Sequence, residues 1–401
     1  MRTRRGSSAR PSILFVAMAN SSHAVRWMSQ LEGLGWDLYL FPAEPPKLAP
    51  VYSQLAEVAP SVQVVEGWHI PVVGPTLAAQ LQLRKPAWQI HARQLARAIR
   101  KVRPDIVHSL EIQHAGYLVH SACLQLGNAF PTWIVSNWGS DTYIFGRTRE
   151  HRDRLRQVFA ACDYYTAECE RDIDPARRLG FRGTVLPVLP AAGGLDIESL
   201  QRFRLPGPVS ARRVIAVRGY HGWAGRSLVA LRAIERAADV LRNYRIAVYR
   251  ATVEVPLAVE LMVDRTKLDV QIVPFGPHEN IWRLFGSARA LVALSIGDGI
   301  STSMLEAITM GAFPIQSNTS CGNEWLVDGN TGIFVEPEDP DDVEEAIRRV
   351  VADDELVDSA AAANFETVLQ RLDIDVIRPR VIEMYERVAK DLAASDLGRR
   401  L

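Results

Sequence analysis

The stretch Asp298-Gly-Ile-Ser-Thr-Ser-Met-Leu-Glu306-Ala-Ile-Thr-Met-Gly311-Ala-Phe-Pro314-Ile decides how this chain is read. It follows a short apolar run, Ala290–Leu294, and leaves it through Ser295-Ile296-Gly297-Asp298-Gly299. From Thr302 to Met310 the residues have helical spacing, and after Gly311 a second strand-like run covers Phe313–Gln316. Strand, glycine-bearing loop, helix and strand make one unit of a parallel sheet. A loop of this kind leaves the first amides of the helix and its dipole directed past the strand end, which suits an anion such as a diphosphate. Glu306, one turn into the helix, can accept hydrogen bonds from vicinal hydroxyls. Ser303-x-x-Glu306 also spells a helix capping box, so the spacing alone leaves both uses open.

Outward from this segment the same alternation continues. Strands are predicted at Ser12–Met18, Asp37–Phe41, Asp105–His108, Thr132–Ser136 and Asp163–Thr166, and again at Arg213–Val217, Arg245–Tyr249 and Val270–Val273. Helices are predicted at His23–Leu34, His91–Val102, Gly225–Ala238, Ile281–Ser287 and Asp341–Val351. The Pro/Gly-rich stretch Leu186–Arg212, with few apolar residues, reads as a linker. The expected fold is therefore α/β, with two Rossmann-like doubly wound domains facing a cleft: residues 1–190, residues 191–375, and a C-terminal helix over 376–401 packing across them. Function is expected in the loops that follow the strand C-termini.

Composition narrows the class. With 46 basic and 46 acidic residues the 401-residue chain has no net charge, which argues against a dedicated nucleic-acid binder. Coding composition accounts for the excess of arginine over lysine. Four cysteines without a C-x-x-C pair, and no histidine at zinc-ligand spacing, point to a reduced, cytoplasmic protein without a metal site. The basic segment Met1–Arg10 precedes an apolar run far too short for a membrane span, and reads as a frayed tail before the first strand.

The acidic residue at 298, seven intervening residues and Glu306-Ala, followed by Gly311-x-x-Pro-Ile and by Asp328-Gly-Asn-Thr-Gly332-Ile-Phe-Val-Glu-Pro337, resemble the retaining family 4 glycosyltransferases, which have the GT-B fold. The resemblance implies that Glu306 binds the nucleotide ribose, that Asp298 lies near the donor sugar, and that the Gly299, Ile300, Ser301 and Thr302 backbone meets phosphate or sugar oxygens. In the family the first acid is usually Glu and is followed by Gly-Phe-Gly. Here it is Asp298, one methylene shorter, and Ile300-Ser301 replaces Phe-Gly. Where the family has Gly-Arg and a downstream Lys for the diphosphate, this chain has Arg218-Gly219-Tyr-His-Gly222-Trp-Ala-Gly225-Arg226, so Arg218 and Arg226 take those places.

On the acceptor side, His23-Ala-Val-Arg26-Trp27 resembles the family's entry to its first helix, and Asp105-Ile-Val-His108 its strand ending in Asp-x-x-His. Several members carry a sugar-contacting histidine two residues later, where this chain has Leu110, which leaves His114 or Glu111 to substitute. Asp141, in Asn137-Trp-Gly-Ser-Asp141, is expected to face acceptor hydroxyls. The implied activity is retaining transfer from a nucleoside-diphosphate sugar to a glycan, lipid-linked or small-molecule hydroxyl, with Asp298, Glu306 and His114 at the reaction, no cofactor and no metal. Peripheral membrane contact is compatible with the family. Two alternatives remain at this point: a nucleotide-sugar epimerase or hydrolase on the same architecture, and a binding subunit without turnover, suggested by Asp298 and Leu110.

Overall fold

The computed structural model describes residues 10–18, 21–44, 55, 57–65 and 84–398. Most of the basic amino-terminal segment and Asn20 lie outside the described residues. The chain divides into two compact units, one formed by residues 1–193 together with 377–401, the other by residues 194–376.

The first unit is built on seven parallel strands, β1 (Ser12–Ala17), β2 (Asp37–Pro42), β3 (Gln63–Val64), β4 (Ile106–Leu110), β5 (Thr132–Asn137), β6 (Tyr164–Ala167) and β7 (Thr184–Val185), in the order β3-β2-β1-β4-β5-β6-β7. The second has six, β8 (Val214–Arg218), β9 (Arg245–Tyr249), β10 (Asp269–Ile272), β11 (Ala290–Ala293), β12 (Phe313–Ser317) and β13 (Ile333–Val335), in the order β10-β9-β8-β11-β12-β13. In both, winding starts in the middle and runs outward in two directions, so the order reverses between β1 and β4 and between β8 and β11. The central strands are buried on both faces, which is why they read as unbroken apolar runs rather than as alternation. Strands β3, β7 and β13 escape a sequence reading because they are two or three residues long and only partly buried.

The stretch predicted as a linker contains the division between the units and is itself packed. Leu186, Leu189, Leu195, Ile197, Leu200, Phe203 and Val209 are all buried, and the division between units falls at Gly193–Gly194. Its proline and glycine content sets turns rather than freedom.

Helices cover both faces of each sheet. In the first unit, α1 (Ser22–Ser29) and the last helix pack on one face with Ile13, Phe15 and Ile106, while α2 (Arg84–Val102) and α3 (Tyr117–Leu126) pack on the other with Leu14, Val16 and Val107. The last helix, α4 (Ile374–Gly398), returns to the first unit through Ile377, Val381, Met384, Tyr385 and Val388. No helix among the described residues is long and apolar enough to cross a membrane.

A buried relay fixes α4 in place. The Trp27 indole can only donate, and it gives its N–H to the Tyr385 oxygen at 2.8 Å. The phenol hydrogen is thereby left for His108 Nδ1, 2.6 Å away, and the neutral ring's Nε2–H donates to Ser136 Oγ at 2.7 Å. His108 is fully buried, and burial lowers its pKa to about 3. A histidine depressed in the folded state binds its proton only in the unfolded chain between about pH 6.5 and 3. Its contribution to stability is therefore complete above pH 6.5 and is lost as pH falls. Urea unfolding of the unaltered protein should weaken with falling pH by about 1 kcal/mol per pH unit more than that of His108→Gln across this window; equal slopes would refute the assignment.

Candidate functional site

At the reversal point of the second unit, the loops after β8 and β11 are stitched together. The Arg226 amide donates to the Leu294 carbonyl at 3.1 Å and the Ile296 amide to the Ala224 carbonyl at 2.9 Å. The β12 loop joins them, since the Ser317 hydroxyl accepts from the Ser295 amide at 2.7 Å. Reversal points of doubly wound sheets are where such folds bind ligands.

Two acid–base pairs occupy this region. Arg218, at the end of β8, donates from Nη1 to Asp298 Oδ2 at 2.9 Å, with both side chains about one quarter exposed. Burial works against the Arg218 charge, but the Asp298 carboxylate beside it holds the guanidinium above its ordinary pKa. Behind them, His278 Nε2 lies 2.8 and 3.0 Å from the two oxygens of Glu306, whose side chain is almost inaccessible. His278 stands immediately before α5 (Glu279–Ser287), and its ring meets Trp282 edge-on at 5.0 Å. Tyr249, at the end of β9, is fully buried near Arg218 and Glu306, and burial pushes its phenol up to about 12.

The helix that follows, α6 (Thr302–Thr309), starts two residues earlier than a Ser303 cap would require. Ser301 is the N-cap and its hydroxyl accepts from the Met304 amide, so the Ser303–Glu306 capping box does not form. Glu306 is thus released from capping and is held by His278. Gly299 and Ile300 lead into this cap, and the Gly299 carbonyl accepts from the Cys321 amide at 3.1 Å.

Gly219 is explained by packing: a Cβ there would lie 2.8 Å from the Ala251 Cα and the Val248 side chain. Arg226 does not present an open guanidinium. Its Nε donates to Glu338 at 2.9 Å and its Nη1 to the carbonyls of Gly222, Ala224 and Gly225. It holds its own loop in shape.

The residues of the first unit cluster at the carboxyl ends of β4 and β5. Glu111 adopts a positive φ of 78° and accepts from the amides of His114 and Ala115, at the head of a single π-helical turn over Ile112–Gly116. It also meets His114 Nδ1 at 3.2 Å, while His114 Nε2 faces Glu44 at 3.3 Å. The Glu111 hydrogen bond raises the His114 pKa, against the effect of partial burial. His114 is half exposed; Glu111 is buried and orients it. His23, on α1, meets Trp138 edge-on at 5.6 Å. Asp141 departs from expectation: its carboxylate does not face outward but is buried, bridging the amides of Ile112 and Trp138 at 3.0 and 2.9 Å. Burial and the neighbouring Glu111 raise its pKa well above the usual carboxylate range. It clamps the β4 and β5 loops together.

His278 and Tyr249 escaped the sequence reading. Their signal was positional only, Tyr249 at a strand end and His278 just ahead of a helix.

Comparison with known proteins follows the same division. Residues 259–366 match the family model for "Glycosyl transferases group 1" and residues 12–163 that for "Glycosyl transferase 4-like". The fold is that of the GT-B glycosyltransferases. Solved structures similar to this chain include a sucrose-phosphate synthase from Thermosynechococcus elongatus, at 13% identity and TM-score 0.73, covering 94% of this chain and 99% of the other. A glycosyltransferase from Rickettsia africae aligns at 15% identity and TM-score 0.68, over 96% and 98% of the two chains. The Anabaena protein HepE, solved in complex with UDP-glucose, aligns at 12% identity and TM-score 0.69, over 94% and 100%. No curated protein sequence matches the chain. Both halves of this GT-B chain thus carry glycosyltransferase-family domains.

Removing the imidazole partner of a buried carboxylate takes hydrogen bonding away from it. His278→Ala should lower unfolding stability by about 1–3 kcal/mol, measured by urea titration, whereas a loss below the error of the method would show that Glu306 does not depend on His278.

Proposed function

We propose that this chain is a retaining glycosyltransferase that moves a sugar from a nucleoside-diphosphate sugar to a hydroxyl acceptor, in the building of a bacterial polysaccharide, lipopolysaccharide or other glycoconjugate. The observation that carries the reading is the meeting, at the β8/β11 reversal point, of the Arg218 guanidinium, the N-terminus of α6 and the buried Glu306 carboxylate. A diphosphate calls for cationic and amide donors, a ribose diol for a fixed acceptor, and these lie side by side on one unit. The HepE structure, solved in complex with UDP-glucose, is in keeping with such a donor.

In this reading Arg218 and the α6 amides stabilise the departing diphosphate, Glu306 takes the ribose hydroxyls, and Asp298 addresses the donor sugar. Arg226 acts by fixing the loop that presents Arg218. Retention follows if the leaving phosphate oxygen takes the acceptor proton on the same face of the sugar, which leaves positioning and charge as the protein's main contributions. Cationic side chains then take the part a metal ion would play, and turnover is expected to persist in chelator. Acceptor recognition is assigned to the loops of the first unit, with His23 and the Glu111-oriented His114 as its polar groups.

A nucleoside diphosphate at 100 times its dissociation constant should stabilise the protein by about 2.7 kcal/mol in thermal unfolding. The gain should appear for one base among UDP, ADP and GDP, and should be lost in Arg218→Ala and Glu306→Ala. No stabilisation by any of them would overturn the donor assignment.

Contact with an anionic membrane surface is also part of the proposal. Helix α2 carries no acidic residue, and Arg93, Arg97, Arg100 and Lys101 project from its solvent face beside the 40%-exposed Ile90. None of these four cations forms an ion pair among the described residues. Each basic residue near an anionic leaflet contributes about 1 kcal/mol, and the attraction is screened by salt. Sedimentation with phosphatidylglycerol vesicles should therefore capture the protein at low salt, and Arg93→Gln/Arg97→Gln/Arg100→Gln should weaken capture at least tenfold. Equal capture of the variant would remove α2 as the contact.

A further inference from the structure

We propose that Arg204 and Arg212 form a binding site for a small oxyanion of the phosphate kind, at the end of the second unit's strands opposite the β8/β11 reversal point. The site is independent of the donor reading above.

Arg212 stands two residues ahead of Val214, where β8 begins, and its Nη1 donates to the carbonyls of Ala288 and Met310, each at 3.0 Å. Those carbonyls lie at the C-terminal ends of α5 and α6, so one nitrogen closes both helices. The rest of the guanidinium is unspent. Its Nε and Nη2 are buried without an acceptor among the described residues, on a side chain only 5% exposed. A buried cation with donors left over is costly. Arg289 shows that the same end of the sheet can supply acceptors. It is fully buried, yet Nε reaches the Val350 carbonyl at 2.8 Å, Nη1 the Ser210 carbonyl at 2.6 Å, and Nη2 the Asp354 carboxylate at 2.7 Å.

Arg204 converges on this place. Its Nη2 lies 3.1 Å from where a Cβ would stand on Gly311, the residue after Met310. Its guanidinium carbon is 5.6 Å from the centre of the Phe365 ring, and the side chain makes no hydrogen bond among the described residues. Arg204 is partly exposed, so the site opens to solvent along it. Burial, with the Arg204 charge beside it, pushes the Arg212 guanidinium down to about 10. The acid that acts on Arg212 is Asp358, but its two oxygens already accept from the Ser210 amide and hydroxyl at 2.9 and 2.7 Å. Phosphate offers oxygens to both guanidinium groups at once, and its charge offsets their repulsion. An oxyanion here bears on the two helices that present His278 and Glu306.

Equilibrium dialysis with radiolabelled inorganic phosphate, at fixed ionic strength, tests the site on the unaltered protein, Arg204→Gln and Arg218→Gln. The unaltered protein should bind phosphate with a Kd below about 1 mM, and Arg204→Gln should weaken that binding at least about tenfold. Arg204 makes no hydrogen bond in the fold, so its replacement leaves the helix ends closed by Arg212 intact. Arg204→Ala repeats the measurement should the amide variant fold poorly. The Arg204-dependent binding should persist in Arg218→Gln. Phosphate held at the donor site would instead be lost in Arg218→Gln and kept in Arg204→Gln, which overturns the proposal, as does a failure of the unaltered protein to bind phosphate. Either result leaves the donor assignment standing.

Discussion

The first unit depends on a phenol supplied by the end of the chain. Tyr385 accepts from Trp27 and donates to His108, and through them one residue of α4 ties α1 to β4 and, by way of Ser136, to β5. Every polar atom of this relay is inside the protein, so each needs its partner. The consequence reaches the surface. Strand β4 leads into Glu111 and the π-helical turn that carries His114, and α1 carries His23. The position of these candidate acceptor groups is set by a hydrogen-bonded rod running beneath them.

The two units share a strand order but use their reversal points differently. In the first, buried carboxylates are consumed by the scaffold: Glu111 heads a helical turn, Asp141 bridges two loops, and Asp172 receives Asn137 and Arg171. Of the residues at the head of this turn, His114 is the half-exposed one. In the second, acids and bases are matched one to one, Asp298 with Arg218 and Glu306 with His278. Pairing keeps these polar groups in the site without leaving any of them unsatisfied. The same topology therefore carries acids built into the scaffold in one unit and acid–base pairs in the other, in keeping with the rule that function resides in sites grafted on folds.

Much of this was legible in the sequence because parallel strands buried on both faces announce themselves as apolar runs. The strand at Arg245–Tyr249 matches its predicted span, and Ala290–Leu294 and Phe313–Gln316 fall within one residue of theirs. Edge strands were not legible, being too short and too exposed to leave a pattern. Nor was the direction of polar side chains. Asp141 sits where a ligand-facing acid would sit, yet two backbone amides turn it inward; Arg226 sits where a phosphate-binding cation would sit, yet its own loop and Glu338 claim it. Ser303 and Glu306 have capping-box spacing, but the helix begins two residues earlier. In each case the deciding partner is remote in sequence or is a backbone group that every residue carries, and side-chain identity alone encodes neither.

The placement of α4 also orders events in time. The first unit is made first, but the face formed by Ile13, Phe15, Leu38 and Ile106 is completed only by residues 377–401. At 5–20 residues per second, synthesis of the roughly 180 intervening residues takes ~10–40 s, during which that apolar face has only part of its cover, from α1. A nascent chain in this state is a natural client for chaperones. A stop codon in place of Ile377 would damage the half of the protein made first and leave the half made second with all its own residues.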